Sequence, residues 1–217
     1  MLELLLPQRC VVCGAPEAQL CGGCLDGLPR LGQPRCERCG APTAWPVLRC
    51  AECSGRRIAF ASARAAVAYD SAVKALVTGW KEHGLRRLAA TAAALVEEVV
   101  PRPEVEALAF VPPDGDRSGR RGHHPAERLA RELGRRWELP VATALQRTRR
   151  LSRQRGLTLA ERRRNVRGAF RAAASPRRVC LVDDVYTTGA TANAVASALR
   201  AAGARRVEVV TFARAIR

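Results

Sequence analysis

Aromatic residues make up only 4% of this 217-residue chain, too few for a stack of rings that holds single strands by their bases. No apolar run reaches about eighteen residues, which excludes a transmembrane helix. The opening Met-Leu-Glu-Leu-Leu-Leu-Pro is short for a secretory leader and carries Glu3 where a leader has a basic region. A cytoplasmic protein is therefore expected. Acidic residues are also scarce: 20 Asp and Glu stand against 37 Lys and Arg, a net charge of +17. Such an excess concentrates polyanions at the surface, so nucleic acid or a polyphosphate is the expected partner. The competing reading is general arginine enrichment on solvated faces. No internal repeat is present apart from paired cysteines, and an apolar content of 47% suffices for an α/β body with a small second unit.

Eight of the nine cysteines fall in four Cys-x-x-Cys hooks, Cys10/Cys13, Cys21/Cys24, Cys36/Cys39 and Cys50/Cys53. A hook places two thiolates on one metal from a single tight turn, and Gly14 and Gly40 ease two of those turns. In a reducing compartment such pairs serve metals; a disulfide framework is the alternative. Four hooks make two zinc sites. Sequential pairing, Cys10/Cys13/Cys21/Cys24 and Cys36/Cys39/Cys50/Cys53, needs the shorter loops. Four thiolates fill a tetrahedral site and leave no position for chemistry, so both zinc ions are expected to be structural. Cys180 sits in an apolar run and reads as a small core residue. Residues 1–55 are thus expected to form a double zinc ribbon, and 58–217 a second domain.

From Ile58 onward, strand and helix patterns alternate, which implies α/β architecture with a parallel sheet. Ala65–Tyr69 predicts a strand, Ala72–Trp80 a helix ending at Lys81-Glu82-His83-Gly84, and Leu85–Val100 another helix, broken by Pro101 and Pro103. Val105–Val111 predicts a strand that stops at Pro112-Pro113. Pro125 suits the first turn of a helix running to about Trp137.

The most informative stretch is Val179-Cys-Leu-Val-Asp-Asp-Val-Tyr-Thr-Thr-Gly-Ala-Thr191. Its four-residue apolar run predicts a buried parallel strand ending at Asp183 and Asp184. A loop of small residues, Thr187, Thr188, Gly189, Ala190 and Thr191, then leads into a helix that ends near Gly203, and Val207–Phe212 predicts a last strand. Loop amides and a helix start converge on an anion without needing a lysine. Adjacent carboxylates need occupants of their own, and ribose hydroxyls or magnesium suit them. The ligand described is a sugar phosphate; an ordinary capped turn with two solvated aspartates is the alternative. This run resembles the phosphoribosyl-pyrophosphate (PRPP) motif of type I phosphoribosyltransferases. There the acidic pair binds the ribose hydroxyls and the loop holds the 5′-phosphate.

Nine arginines fall between Arg147 and Arg167, so residues 146–170 read as a basic flap, with a solvated helix face as the alternative. Within it, Gln154-x-Gly156-Leu157, Glu161-Arg162, Asn165 and Gly168-Ala169-Phe170 resemble the corresponding run of the ComF competence-protein family. The order of hooks, Tyr69, Lys81 with Gly84, flap and PRPP loop extends that resemblance over nearly the whole chain. It implies a double zinc ribbon fused to a type I phosphoribosyltransferase fold, with PRPP, magnesium and single-stranded DNA as ligands. It also implies competence-machinery proteins at the inner membrane face as partners. Lys81, Arg120, Arg121, Gln154 and Arg162 become candidates for pyrophosphate or flap contacts. One departure is clear: Arg121-Gly122-His123-His124-Pro125 stands where the family usually has Arg-Gly-Phe-Asn-Gln, and Val111-Pro112-Pro113-Asp114 replaces Val-Pro-Val-Pro. The lost amide pair bears on transfer more than on PRPP binding, and the histidines read as exposed loop residues, with an acid or metal ligand as the alternative. Two functions follow: a transferase on an acceptor that no residue pattern names, and a non-catalytic PRPP-sensing adaptor for nucleic acid.

Overall fold

In the computed structural model, which describes residues 8–16, 18–113, 124–148, 166 and 168–216, local signals set the element ends. After a short helix in the first ribbon (α1, Gly22–Asp26), the body begins with β1 (Ser62–Ala68), α2 (Ser71–Glu82) and α3 (Leu88–Val99). Asp70 caps α2 by accepting from the Val73 amide at 2.8 Å, and Val73, Leu76, Val77 and Trp80 form its buried stripe. β2 (Ala107–Phe110) and α4 (Pro125–Trp137) follow, then β3 (Val141–Ala142), β4 (Leu145–Arg147), β5 (Phe170–Ala172), β6 (Arg178–Tyr186), α5 (Ala190–Ala201) and β7 (Arg206–Arg214).

Five of these strands form one parallel sheet in the order β1-β7-β6-β2-β3, while β4 and β5 pair antiparallel beside it. From β2 the chain crosses through α4 to β3 on one side, and from β6 it crosses through α5 to β7 on the other. Right-handed crossovers in opposite directions put their helices on opposite faces. The packing agrees: Leu129 and Leu133 of α4 lie with Cys180, Val182 and Phe212. Val195 and Leu199 of α5 lie with Val179, Leu181 and Val209 on the other face. Cys180 is fully buried, as its apolar setting predicts. The sheet is therefore doubly wound, with its switch point between β2 and β6, where such sheets open a crevice at their carboxyl ends.

β6 runs further than its side chains suggest. The predicted strand stops at Val182, but β6 stays in register with β7 through Asp183↔Thr211, Val185↔Ala213 and Tyr186↔Arg214. β2 leaves it at Phe110↔Val182. The ladder is a backbone property, and β7 remains available as a partner after the side chains turn acidic. Asp183 and Asp184 are thus strand residues held on one edge only, at the switch point.

The ribbons pack on opposite faces. Val11, Val12, Leu20, Leu25 and Leu28 of the first join the α2–α3–α4 side. Cys36, Cys39 and Cys53 of the second lie in the core on the α5 side with Phe60 and Tyr186. Among the described residues, no helix is long and apolar enough to cross a membrane.

Candidate ligand-binding site and zinc ribbons

The hooks converge in the sequential sets. In each of Cys10/Cys13/Cys21/Cys24 and Cys36/Cys39/Cys50/Cys53, all four sulfurs lie within 4.8 Å of one another. Sγ–Sγ distances are 3.6 Å for Cys13–Cys21, 3.6 Å for Cys36–Cys53 and 3.4 Å for Cys39–Cys50. A tetrahedral zinc with bonds of about 2.3 Å separates its sulfurs by about 3.8 Å, so both sets fit the ion. In each set backbone amides favour thiolate at one cysteine, while neighbouring sulfurs push Cys24 toward the thiol, and burial with neighbouring sulfurs does the same to Cys39 and Cys53. Burial opposes ionisation of Cys36, but the amides of Cys39, Cys50 and Arg38 outweigh it and draw the thiol down to about 7. Cys10 is drawn down to about 6 in the same way, against burial, by the backbone of Cys13, Cys21 and Val12. Two structural zinc sites result.

At the switch point, Lys81 at the end of α2 pairs with Asp184, Nζ to Oδ2 2.6 Å. Burial alone would depress the Lys81 ammonium, but the carboxylates of Asp184 and Asp183 more than offset it and hold it above its ordinary value. Asp183 moves upward too, to about 7: burial is the main cause and the Asp184 charge the second, while Lys81, the Asp184 amide and Arg147 pull the other way. The Asp184 amide donates to Asp183 Oδ1 at 2.9 Å. Burial and the adjacent charge therefore favour the protonated form of Asp183.

Beyond Tyr186 the backbone turns through Thr187, Thr188 and Gly189 into α5. Gly189 has φ +69, and a Cβ there would collide with the Tyr186 ring, so only glycine allows this turn. Thr188 Oγ1 accepts from the Ala190 amide at 3.2 Å. Among the described residues, the amides of Thr187, Thr188 and Gly189 donate to no acceptor. Free amides at a helix start receive an anion in general. Here they begin three residues after Asp184 in the chain.

Arg56, Asn193 and Arg214, which sequence reading missed, hold this loop. Arg56, just past the last hook, donates to the Thr188 carbonyl at 3.0 Å. Asn193 Oδ1 accepts from the Ala59 amide at 2.7 Å. Arg214, 1% exposed, lies over the Tyr186 ring at 4.6 Å and donates to the Cys39 carbonyl at 2.7 Å. It also pairs with Glu52 at 2.7 Å. Leaving so buried a guanidinium without its partner is costly in general. Burial pushes the Tyr186 phenol up to about 12 despite that guanidinium. Arg147 donates to the carbonyls of Pro112 and Pro113 at 2.9 and 3.0 Å and covers Phe170 at 5.0 Å. It thereby ties the end of β2 to the base of the flap.

Arg120, Arg121, His123, Gln154 and Arg162 lie outside the described residues, as do residues 149–165 of the flap. His124 differs from the exposed loop residue expected: its Nδ1 accepts from the Glu127 amide at 3.2 Å, making it the N-cap of α4, and its ring sits 5.7 Å from Phe110. Pro125 fixes the first helical residue, so the residue before it must cap.

A sequence model of the double zinc ribbon domain matches residues 1–54. Competence protein F of Haemophilus influenzae is 29% identical over 95% of this chain and 97% of its own length. DNA utilization protein YhgH of Salmonella typhi is 28% identical over 98% and 100%. Competence protein ComFC of Streptococcus pneumoniae is 25% identical over 90% and 87%. With the ribbon model and near-full-length relatives in agreement, the chain is similar to competence protein F and its relatives over nearly its whole length.

Proposed function

We propose that this protein binds PRPP with magnesium at Asp183, Asp184 and Thr187–Thr191, and that it acts in the cytoplasm in DNA uptake, with single-stranded DNA as a partner. The observation that supports the first part best is the set of free amides at Thr187, Thr188 and Gly189, shortly after the paired carboxylates on the open edge of β6. The loop takes the 5′-phosphate, and Asp183 and Asp184 take the ribose hydroxyls and, with pyrophosphate, the magnesium. Lys81 neutralises Asp184 in the free protein and is near enough to follow the charge of an incoming pyrophosphate. Displacement at the ribose C1 passes through an oxocarbenium-like state, so the protein supplies position and charge compensation rather than a covalent partner. The role in DNA uptake follows from the names of the relatives and from the charge of +17.

Calorimetric titration with PRPP and magnesium tests the binding. Asp183→Asn with Asp184→Asn should weaken it by roughly 2–4 kcal/mol, the scale of charge-assisted hydrogen bonds. Unchanged affinity in the double variant would remove the loop as the PRPP site. Pyrophosphate release with a panel of bases then separates a transferase from a PRPP-sensing adaptor. One feature favours the adaptor: Arg49, Arg56 and Arg57 line a cavity of about 1080 Å³ over α5 beside Ala190, a basic surface larger than a single phosphate requires.

A further inference from the structure

The second ribbon does more than pack against the sheet. Four contacts run from the second ribbon and the segment just after it to the loop after β6 and its neighbours: two reach Arg214 at the end of β7, one the Thr188 carbonyl and one Asn193 of α5. The Cys39 carbonyl and the Glu52 carboxylate, both inside the ligand set's own turns, fix the guanidinium of Arg214 at 2.7 Å each. Arg214 also approaches Cys39 Sγ at 3.7 Å, and its buried Nε has no acceptor among the described residues. Among the described residues, the ribbon supplies acceptors for this guanidinium, and the Tyr186 ring is its other neighbour. The Tyr186 ring lies on this guanidinium and edge-on to Phe60, at 6.3 Å. Gly189 in turn closes on Tyr186, with no space for a single methyl. Arg56 and Ala59, which follow the last hook, hold the Thr188 carbonyl and Asn193.

A buried guanidinium cannot stay where it is without acceptors. If the metal leaves, the turns carrying Cys39 and Glu52 lose their shape, because such small units fold with their ion. Arg214 must then leave for water, Tyr186 loses its support, and the tight turn at Gly189 has nothing to close against. The ribbon with and without its metal would thus give the loop two discrete arrangements, which is what coupling between distant sites requires.

We propose that Arg214 is a positioning residue that makes the shape of the loop at Thr187–Gly189 depend on metal at Cys36, Cys39, Cys50 and Cys53, so that losing zinc from the second ribbon weakens anion binding at the loop. The functional consequence rests on the reading of that loop as the phosphate site. The mechanical part does not.

The test uses the full zinc-loaded chain and two readouts. Site-resolved amide exchange at Ala59, Ala190 and Asn193, whose bonds tie the loop and its helix to their neighbours, reports the loop without any ligand. Calorimetry with PRPP and magnesium reports binding. In Arg214→Lys, which keeps the charge and loses the forked donors, exchange at these amides should quicken and PRPP binding weaken by roughly tenfold, a usual size for coupling between sites. Two zinc ions should remain bound. Stripping zinc from the wild-type second ribbon should have the same effect, and restoring zinc should reverse it there but leave Arg214→Lys fast. Glu52→Gln, which removes only one acceptor charge, should fall between, and it carries the test should Arg214→Lys fail to fold. Unchanged exchange in these variants and after zinc removal would overturn the inference. Faster exchange in a protein that never binds PRPP would leave the coupling standing and refute the phosphate-loop reading.

Discussion

The first ribbon leaves Cys13 exposed and meets the body mainly through aliphatic side chains, with Val11 packed close to Gly79 of α2, while the segment leaving it adds only a partly solvated Arg30–Glu98 pair and backbone bonds at Leu31 and Ala68. In the second, Cys36 and Cys53 have no exposed surface, and the attachment adds buried polar bonds through Arg56, Glu52 and Arg214. The same ligand set is thus used in two ways. An apolar contact tolerates small displacements, because its energy varies smoothly with area. A buried guanidinium with fixed acceptors does not, because each lost partner leaves an uncompensated donor. The second ribbon is the one whose integrity the switch point feels.

The largest expected effect breaks this comparison directly. Cys50→Ser should destabilise the chain by at least about 4 kcal/mol, the range of lost metal sites, and should disturb the sheet's far end as well as the ribbon. Cys13→Ser should cost roughly half as much and unfold mainly residues 8–31, since its ribbon is partly solvated already. Thermal unfolding with zinc quantification measures both. Equal losses would show that the polar attachment adds nothing to the apolar one.

Much of the fold was legible because its signals are local. Pro125 and the alternating apolar runs mark the elements within a few residues of where they lie, and the Asp183–Thr191 stretch is contiguous, so a site could be proposed there without knowing the sheet. The cysteine hooks announce themselves by spacing. What stayed hidden is long-range: Arg214 finds Cys39 and Glu52 at separations of 175 and 162 residues, and Arg56 finds Thr188 at 132. No periodicity links such positions. The end of β6 was misplaced for another reason, since polarity was read as the end of a ladder that backbone bonds continue. His124 had its signal in Pro125, which makes the preceding residue a cap.

A smaller effect sharpens the account of the carboxylate pair, which the ribbons do not touch. The Asp183 carboxyl, raised to about 7, is protonated in the folded chain below that pH and charged in the unfolded chain above its ordinary value of 3.8. The proton's contribution to stability is therefore full at low pH and is lost as pH rises through about 7. If magnesium enters with PRPP at this pair, it must displace the same proton, so PRPP–magnesium affinity should fall by up to about tenfold for each pH unit below that point. Calorimetry in buffers of different ionisation enthalpy should register close to one proton released at pH 6, and none with Asp183→Asn. A flat profile in the wild type would mean that Asp184 alone meets the metal.

The smallest expected effect asks which basic region meets DNA, the flap or the second ribbon. If arginines between Arg147 and Arg167 contact phosphates, log affinity for single-stranded DNA falls linearly with log salt, with a slope of about −0.7 per phosphate neutralised. Replacing Arg149, Arg150 and Arg153 together should flatten that slope by about two units. Affinity itself should be only micromolar, since aromatics at 4% of the chain leave few rings for bases to stack on. Arg49 and Arg57, exposed on the ribbon side of the α5 cavity, offer the contrasting path. Should Arg49→Ala with Arg57→Ala flatten the slope while the flap variant leaves it unchanged, DNA runs along the ribbon, and the flap arginines are free to close over pyrophosphate, where their loss would slow PRPP turnover. Should the flap variant flatten it and PRPP compete with DNA, one flap serves both ligands. A slope indifferent to both sets would place the phosphate contacts elsewhere and reduce residues 146–170 to a solvated face.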